Sequence, residues 1–254
     1  MRRNKVSLKS KLAKNELTLG SWITIGHEIV AELLAQRNFD WLTVDMEHSS
    51  ITLDIAQRLI RVIDQYGVAP LVRVGENSNY LIKRVMDAWA VGVIIPNVKN
   101  VEDAKKAVKS INYPPVGFRG VGLARAQGYG FHFDKYKDFN QKNGIVIVQI
   151  EDIKGMENLH EILSVEGIDA SMIGPYDLSA SLSMPGDIYN PLVLQQIEKY
   201  LIVCNELNKP AGIHVIPPEI KELVQRREQG FSFLAFSLDT LFLGKKIDDE
   251  LGEL

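Results

Sequence analysis

The segment Trp41-Leu-Thr-Val-Asp-Met-Glu-His48 places a mostly apolar run directly before three ionisable residues, Asp45, Glu47 and His48. A short, continuous apolar run of this kind is typical of a strand buried on both faces of a parallel sheet. The same order, apolar residues and then a polar one, recurs over residues 70–73, 145–151 and 171–177. Strands that each end in a polar residue predict a ring of functional groups at one end of a sheet.

Eight short apolar runs alternate with helical patterns along the chain. The runs cover residues 19–24, 41–45, 70–73, 92–95, 145–150, 169–173, 211–214 and 231–236. Helices with apolar residues at i, i+3 and i+4 are predicted after the capping residues Thr52, Ser78 and Asn100. Further helices are predicted over 155–164, 191–208, 218–229 and 239–247, with Gly230 ending the third of these.

This alternation predicts one α/β domain over residues 1–254, a (β/α)8 TIM barrel. A doubly wound open sheet is disfavoured because no Gly-rich phosphate-binding fingerprint follows the first strand. The segment 112–144 interrupts the pattern. Its Gly, Pro and aromatic content argues against a regular helix and favours a lid or a binding loop.

Composition excludes several classes of function. The formal net charge of the 254 residues is -3, which argues against a nucleic-acid partner. The first 14 residues hold six Lys or Arg but no apolar segment follows, so we expect a solvated turn or helix and no signal peptide. No run approaches the ~20 apolar residues of a membrane span. The single cysteine, Cys204, lies in a helical pattern and is expected in the core, which favours the reducing cytoplasm.

In a barrel, the carboxyl ends of all strands meet at one face, and that face holds the active site. Glu151 and Asp177 follow neighbouring predicted strands, and two carboxylates with water suit Mg²⁺ or Mn²⁺. His48 follows a buried strand and can act as a general base near neutral pH. Arg73 can hold a carboxylate or enolate oxygen, and it can also pair with a neighbouring acid of the second strand. These residues predict a metal-assisted enzyme that acts on a small oxyanionic substrate.

Four strings carry a resemblance to a known family: Asp40-Trp-Leu-Thr-Val-Asp-Met-Glu-His48, Tyr113-Pro-Pro-Val-Gly-Phe-Arg-Gly-Val-Gly122, Val148-Gln-Ile-Glu151 and Ile173-Gly-Pro-Tyr-Asp-Leu-Ser-Ala-Ser-Leu182. Together they resemble the HpcH/HpaI aldolases, class II metal-dependent enzymes of the phosphoenolpyruvate/pyruvate barrel superfamily. The resemblance covers about residues 17–240.

The resemblance implies roles for individual residues. Glu151 and Asp177 would bind the divalent metal (Mg²⁺, Mn²⁺ or Co²⁺), and Arg73 would hold the keto or enolate oxygen. His48 would be the catalytic base, and Asp87 would be the carboxylate that orients it.

Further residues would bind the substrate. Gln149 would lie near the pyruvate, the backbone amides of Tyr176 and Asp177 would receive its carboxylate, Trp22 would form an aromatic wall, and Asp45 would support the arginine. The family is typically a hexamer, a trimer of dimers that exchange their C-terminal helix.

The implied reaction is reversible cleavage of a 4-hydroxy-2-oxo (2-keto-3-deoxy) acid to pyruvate and an aldehyde through a pyruvate enolate. A metal-dependent decarboxylase or carbon–carbon ligase acting on an acid such as oxaloacetate is the alternative. A non-catalytic oligomer that binds 2-oxo acids is a minor one. Four positions depart from the family pattern, which leaves the aldehyde partner open: Met46, Tyr176, and the two histidines after strand ends, His27 and His214. Both histidines are candidates to line the pocket.

Overall fold

The computed structural model describes residues 7–252 as a closed barrel of eight parallel strands paired in sequence order, β1 to β8, with β8 returning to β1. This confirms the predicted (β/α)8 barrel, and each observed strand overlaps its predicted run. The strands are β1 Thr18–Ile23, β2 Trp41–Asp45, β3 Ala69–Arg73, β4 Gly92–Ile95, β5 Ile145–Ile150, β6 Ala170–Ile173, β7 Ala211–Val215 and β8 Phe233–Leu238.

Helices connect successive strands and cover the outside of the barrel. They are α1 Leu8–Ala13, α2 Glu28–Ala35, α3 Leu53–Gln65, α4 Asn79–Asp87, α5 Val101–Ile111, α6 Phe133–Asn143, α7 Ile153–Glu157, α8 Leu159–Leu163, α9 Pro175–Ser181, α10 Pro191–Glu206, α11 Ile220–Glu228 and α12 Asp239–Leu251. The sequence patterns did not single out α2 and α9. The helix predicted over 155–164 is two short helices that meet at Asn158.

The expectation of no regular helix in segment 112–144 is wrong for its second half, because α6 spans eleven residues there. Its Tyr136 and Asn140 are buried one turn apart. Phe139 stacks on Trp89 with ring centroids 5.5 Å apart. The aromatic residues that suggested an irregular segment form the buried stripe of this helix, since tertiary packing overrides their modest helix propensity.

The helix ends were predicted with mixed success. Thr52 and Ser78 occupy the capping positions of α3 and α4, but neither side chain makes a capping hydrogen bond. Asn100 caps α5 by accepting a hydrogen bond from the Asp103 amide at 2.8 Å. Gly230 follows Gln229, the C-cap residue of α11, and lies in the left-handed region with φ +105°, as a C′ glycine should.

Apolar side chains fill the barrel from within. Trp41 and Phe233 stack inside it with ring centroids 4.3 Å apart. A Cβ atom at Gly20 would lie 2.0 Å from the Trp41 ring, so only glycine leaves room for the indole at this point of β1. This packing closes the interior of the barrel and leaves its carboxyl-terminal face to form the site.

Helix α1 closes the opposite end of the barrel, with Leu8 and Leu12 buried in the interior cluster. The predicted helix in the basic N-terminal segment is present, although residues 1–6 lie outside the described residues. Its lysines are not simply solvated, since Lys9 pairs with Asp169 at 2.6 Å and Lys11 with Asp40 at 2.9 Å. Cys204 is buried in α10, as predicted.

Candidate active site

Two cavities lie side by side at the carboxyl ends of the strands and share Asp177. The first, which we call the substrate cavity, has a volume of about 490 Å³, and its wall includes Trp22, Arg73, Gln149, Tyr176, Asp177 and His214. The second, the carboxylate cavity, has a volume of about 330 Å³ and is lined by Glu47, His48, Asn97, Lys99, Glu151, Asp152, Asp177 and Ser181. The strand-end residues singled out from the sequence therefore converge on one face.

Arg73, the last residue of β3, is held rigidly by Asp45, the last residue of β2. Its Nε and Nη2 atoms donate to the two Asp45 carboxylate oxygens at 2.9 and 2.6 Å. Asp45 is only 2% exposed, and Arg73 outweighs the effect of burial to hold the pKa of this carboxyl below its usual value. Nη1 has no hydrogen-bond partner within residues 7–252. The Arg73 guanidinium is thus fixed by Asp45 along its Nε and Nη2 edge, and its Nη1 edge is open to a ligand.

Asp45 also shapes the loop that follows β2. Its Oδ1 accepts hydrogen bonds from the backbone N–H groups of Glu47 at 3.0 Å and His48 at 3.3 Å. One carboxylate therefore positions both the arginine and the segment that carries two further site residues. The ion pair that the sequence offered as an alternative role for Arg73 is present.

Glu151 follows β5 and is almost completely buried, with 8% of the residue exposed. Its Oε1 accepts from the Asn97 amide at 2.7 Å, and its Oε2 accepts from Gln149 Nε2. Burial, and then repulsion from Glu47 and Asp177, raise the pKa of Glu151 to about 7. A Cβ atom at Gly174 would lie 3.0 Å from Glu151 Oε2, so this glycine keeps open the space that the carboxylate occupies.

These side chains fit a divalent cation. Glu47, Glu151 and Asp177 bring three carboxyl groups to one cavity. The buried Glu47 Oε2 makes no hydrogen bond within the described residues, although it lies 3.3 Å from Arg73 Nε. A hard cation would offset this concentration of acidic groups. Within residues 7–252, no three His, Cys, Asp or Glu side chains converge closely enough to enclose a metal. A site of two carboxylates completed by water and substrate suits Mg²⁺ or Mn²⁺ better than a closed protein cage.

His48 lines the carboxylate cavity, and 65% of its side chain is exposed. Its Nε2 atom lies 3.7 Å from Glu47 Oε2, so its nearest acid within the described chain is its sequence neighbour. The imidazole is accessible to a substrate in the cavity and faces Glu151 and Asp177 across it.

Asp87 lies elsewhere. As the last residue of α4 it accepts hydrogen bonds at Oδ1 from Arg119 Nη2 at 2.6 Å and Gln127 Nε2 at 3.0 Å. It lines neither cavity within this chain. Its predicted role as the partner of His48 stays a prediction.

The remaining residues predicted to bind substrate lie around the substrate cavity. Trp22 packs its ring against the Arg73 guanidinium, 4.3 Å from centroid to Cζ. Gln149 is 5% exposed, and its Oε1 has no hydrogen-bond partner among residues 7–252. Tyr176 and Asp177 stand in the first turn of α9, where backbone amides lack partners within the helix. Tyr176 is 48% exposed and forms part of the cavity wall.

Sequence reasoning gave too small a role to two residues around the cavities. Glu47 was assigned no part in the chemistry, yet it faces Arg73 at 3.3 Å and contributes to the charge around Glu151. Its position directly between Asp45 and His48 was the available signal. His27 and His214 were both candidates to line the pocket after strand ends. His214 lies within β7, lines the substrate cavity and contacts Trp22, with ring centroids 5.7 Å apart. His27 lines neither cavity and instead caps α2, where its Nδ1 accepts from the Ile29 amide at 3.2 Å.

The family model described as "HpcH/HpaI aldolase/citrate lyase" matches residues 18–244, nearly the whole barrel. The chain belongs to this family. Membership confirms the resemblance drawn from the four strings and makes the chain an enzyme of the carbon–carbon lyase type.

Individual HpcH/HpaI relatives agree with the match. The chain is 35% identical, over 96% of its length and 91% of the relative, to 2-keto-3-deoxy-L-rhamnonate aldolase of Escherichia coli (strain K12). A crystal structure of a family protein from Burkholderia cenocepacia J2315 superposes with a TM-score of 0.91 at 31% identity, covering 97% of this chain and 98% of the other. Citrate synthase SbnG superposes with a TM-score of 0.86 at 26% identity, covering 98% and 97%.

Proposed function

We propose that the protein is a class II aldolase that reversibly cleaves a 2-keto-3-deoxy acid, a 4-hydroxy-2-oxo acid, to pyruvate and an aldehyde. The observation that carries the proposal is the fixed fork of Arg73, open along its Nη1 edge, beside the carboxylates of Glu151 and Asp177. Such a site can hold the oxygen on which negative charge develops. The name of the E. coli relative supports the keto-deoxy acid as the substrate class.

The chain's own residues supply most of the reaction. The carboxylate of the substrate reaches the first-turn amides of Tyr176 and Asp177, and its 2-keto oxygen faces Arg73. His48, directly or through a water, takes the proton of the C4 hydroxyl. The C3–C4 electron pair moves toward C2 as that bond breaks, the aldehyde leaves, and the enolate oxygen is stabilised by the guanidinium. Protonation at C3 then gives pyruvate.

Glu151 and Asp177 would hold a divalent cation such as Mg²⁺, Mn²⁺ or Co²⁺. A cation is favoured there because the neighbouring carboxyl groups repel one another. When bound, the cation supplies positive charge that lowers the energy of the enolate. A Schiff-base route would need a lysine against the substrate. Among residues 7–252 the substrate cavity has none in its wall, and Lys99, which lines the carboxylate cavity, pairs with Asp152 at 2.9 Å.

The test is aldol addition with pyruvate and a panel of aldehydes, each with Mg²⁺, Mn²⁺ or Co²⁺, followed by chromatography of the hydroxy-oxo acid formed. We expect product only with added cation and its loss when Glu151 is replaced by Ala. Activity fully retained in the Glu151→Ala variant, or no product with any aldehyde, would reject the proposal. Inhibition by oxalate, which mimics the enolate, provides an independent check.

A second candidate is a decarboxylase or carbon–carbon ligase acting on a 2-oxo acid such as oxaloacetate. It is favoured by the similarity to a protein named citrate synthase and by the same enolate-stabilising residues. Oxaloacetate and a hydroxy-oxo acid, compared as substrates at equal concentration, separate the two. Faster turnover of oxaloacetate would favour this candidate.

We also propose a hexamer built from dimers that exchange α12, in the cytoplasm. Support comes from α12 itself, whose Leu241, Leu243, Ile247 and Leu251 are exposed. Exposed Ile29 of α2 and Ile220 of α11 offer apolar faces on the barrel. No helix within residues 7–252 is long and apolar enough to cross a membrane. Light scattering of the intact chain and of one ending before α12 tests the assembly, which should be lost in the shorter chain.

A further inference from the structure

The substrate cavity is larger than pyruvate requires. Its volume of about 490 Å³ lies in the range of pockets that take ligands much larger than a three-carbon acid. From Arg73 and Gln149 the wall continues past His214 to Glu222 and Arg226 of α11. The part of the substrate that becomes the aldehyde therefore has a polar wall to meet, and His214 stands at its beginning.

His214 is held in one orientation and one tautomer. Its Nε2 atom lies 3.1 Å from the backbone carbonyl oxygen of Ser237, which also accepts a hydrogen bond from Ser21 Oγ at 3.2 Å. A carbonyl only accepts, so Nε2 carries the hydrogen and Nδ1 is an acceptor. Nδ1 has no partner within residues 7–252, although the side chain lines the cavity.

The backbone of β8 is shaped to make this contact. Ser237 has φ +49°, in the left-handed region that a serine rarely adopts, and the pairing of β1 with β8 shifts register beside it. Strained residues of this kind persist where the surrounding structure holds them, and they concentrate at functional sites. At this bulge the Ser237 carbonyl oxygen lies 3.1 Å from His214 Nε2.

The surroundings argue against a proton-transfer role for His214. Burial, together with the charge of Arg73, lowers the pKa of this imidazole to about 4, and the hydrogen bond to the Ser237 carbonyl and the charge of Asp45 offset only part of this. The ring is therefore neutral at physiological pH and suited to fixed hydrogen bonding. Trp22, against which it packs, lines the same cavity and has an Nε1–H without a partner among the described residues. His214 Nδ1 is therefore the acceptor that this part of the wall offers, whereas the Trp22 Nε1 atom is buried.

We propose that His214 determines specificity for a hydroxylated aldehyde, with Nδ1 accepting a hydrogen bond from a hydroxyl group of the aldehyde fragment. This inference rests on the proposed aldolase function and names the substrate class more closely. An aldehyde without the hydroxyl leaves the acceptor unpaired, and sites built to bind a hydroxyl reject analogues that lack one.

The test compares 2-hydroxypropanal with propanal as acceptors in addition to pyruvate, because the two differ by one hydroxyl group. We expect the wild-type enzyme to prefer the hydroxylated aldehyde by about tenfold in kcat/KM. His214→Gln keeps a donor for the Ser237 carbonyl but removes the acceptor at Nδ1, so the ratio should fall to near one. His214→Asn places its amide oxygen close to the position of Nδ1 and should keep most of the preference.

Two controls make the result decisive. His160→Gln makes the same change at an exposed histidine of α8 and should leave the ratio unaltered. Exchange of the pyruvate C3 protons in D₂O needs no aldehyde, and His214→Gln should lower it far less than it lowers addition to 2-hydroxypropanal. If His214→Gln is poorly folded by circular dichroism, His214→Leu replaces it with the same expectation.

An unchanged ratio in the folded variant would overturn the inference. So would equal losses of proton exchange and addition, because His214 would then act on the pyruvate half. The absence of both reactions in the wild-type enzyme would instead reject the aldolase function itself.

Discussion

Replacing Asp45 by Asn should disable the site through Arg73 while leaving the shape of the side chain unchanged. In the native protein, two charge-assisted hydrogen bonds of 2.9 and 2.6 Å join these residues, with 3% and 12% of their side chains exposed. Removing one partner of a buried pair destabilises a protein by about 3–5 kcal/mol. We expect about 3 kcal/mol, the low end, because Glu47 Oε2 at 3.3 Å remains as a counter-charge for the guanidinium.

Urea unfolding followed by fluorescence measures the loss of stability. With an m value of about 3 kcal/mol/M, the urea concentration at the midpoint should fall by roughly 1 M. The rate of aldol cleavage measures the loss of activity. Since a displacement of about 1 Å can reduce a rate 100-fold, kcat/KM should fall at least 100-fold.

Asp40→Asn is the matched control at the other end of β2. Asp40 pairs with Lys11 at 2.9 Å and accepts from the Leu19 amide at 3.0 Å, far from both cavities. This variant should lose some stability and retain its activity. An Asp45→Asn enzyme with kcat/KM within threefold of the wild type would show that Asp45 does not hold Arg73 for the reaction.

Three further outcomes are expected. Gly174→Ala pushes a Cβ atom to 3.0 Å from Glu151 Oε2 and should weaken Mn²⁺ binding at least tenfold by calorimetry. Gly244→Ala is the control, because its Cβ atom would meet nothing within 4 Å among residues 7–252, and it should bind Mn²⁺ as the wild type does. Equal affinities of the two variants would contradict this expectation. Because burial lowers the pKa of His214 from 6.5 to about 4, its contribution to stability is complete above pH 6.5 and is lost as the pH falls towards 4. That loss is up to about 3 kcal/mol in the free energy of unfolding. Between pH 6.5 and 4, the free energy of unfolding of His214→Gln should therefore change less with pH than that of the wild type. Gly20→Ala places a Cβ atom 2.0 Å from the β2 tryptophan and should lower the thermal midpoint by several degrees, whereas an unchanged midpoint would refute the packing.

The strands were predictable because each is a short apolar run buried on both faces. The β2 segment, for example, has every residue from Trp41 to Asp45 buried. The mistaken expectation for α6 has a specific cause. Its buried stripe consists of aromatic and amide side chains, which a pattern of aliphatic residues does not detect, and it is stabilised by stacking on Trp89, which is distant in sequence.

Within the site, residues at strand ends were predictable from the barrel alone, since its topology brings Arg73, Glu151 and Asp177 to one face. The orientation of side chains was not. The partial burial of Glu47 and the tautomer of His214 depend on loop and bulge geometry around Asp45 and Ser237, which the order of residues does not reveal.

The enolate site is tested most directly by deuterium exchange at the C3 position of pyruvate, followed by proton NMR in D₂O. Exchange needs the carboxylates and Arg73 but no aldehyde, so it isolates the half of the reaction assigned to these residues. We expect rapid exchange with Mn²⁺ or Mg²⁺ and a loss of at least 100-fold with chelator or in Glu151→Gln. Exchange at the wild-type rate in Glu151→Gln, or in the presence of chelator, would contradict the assignment.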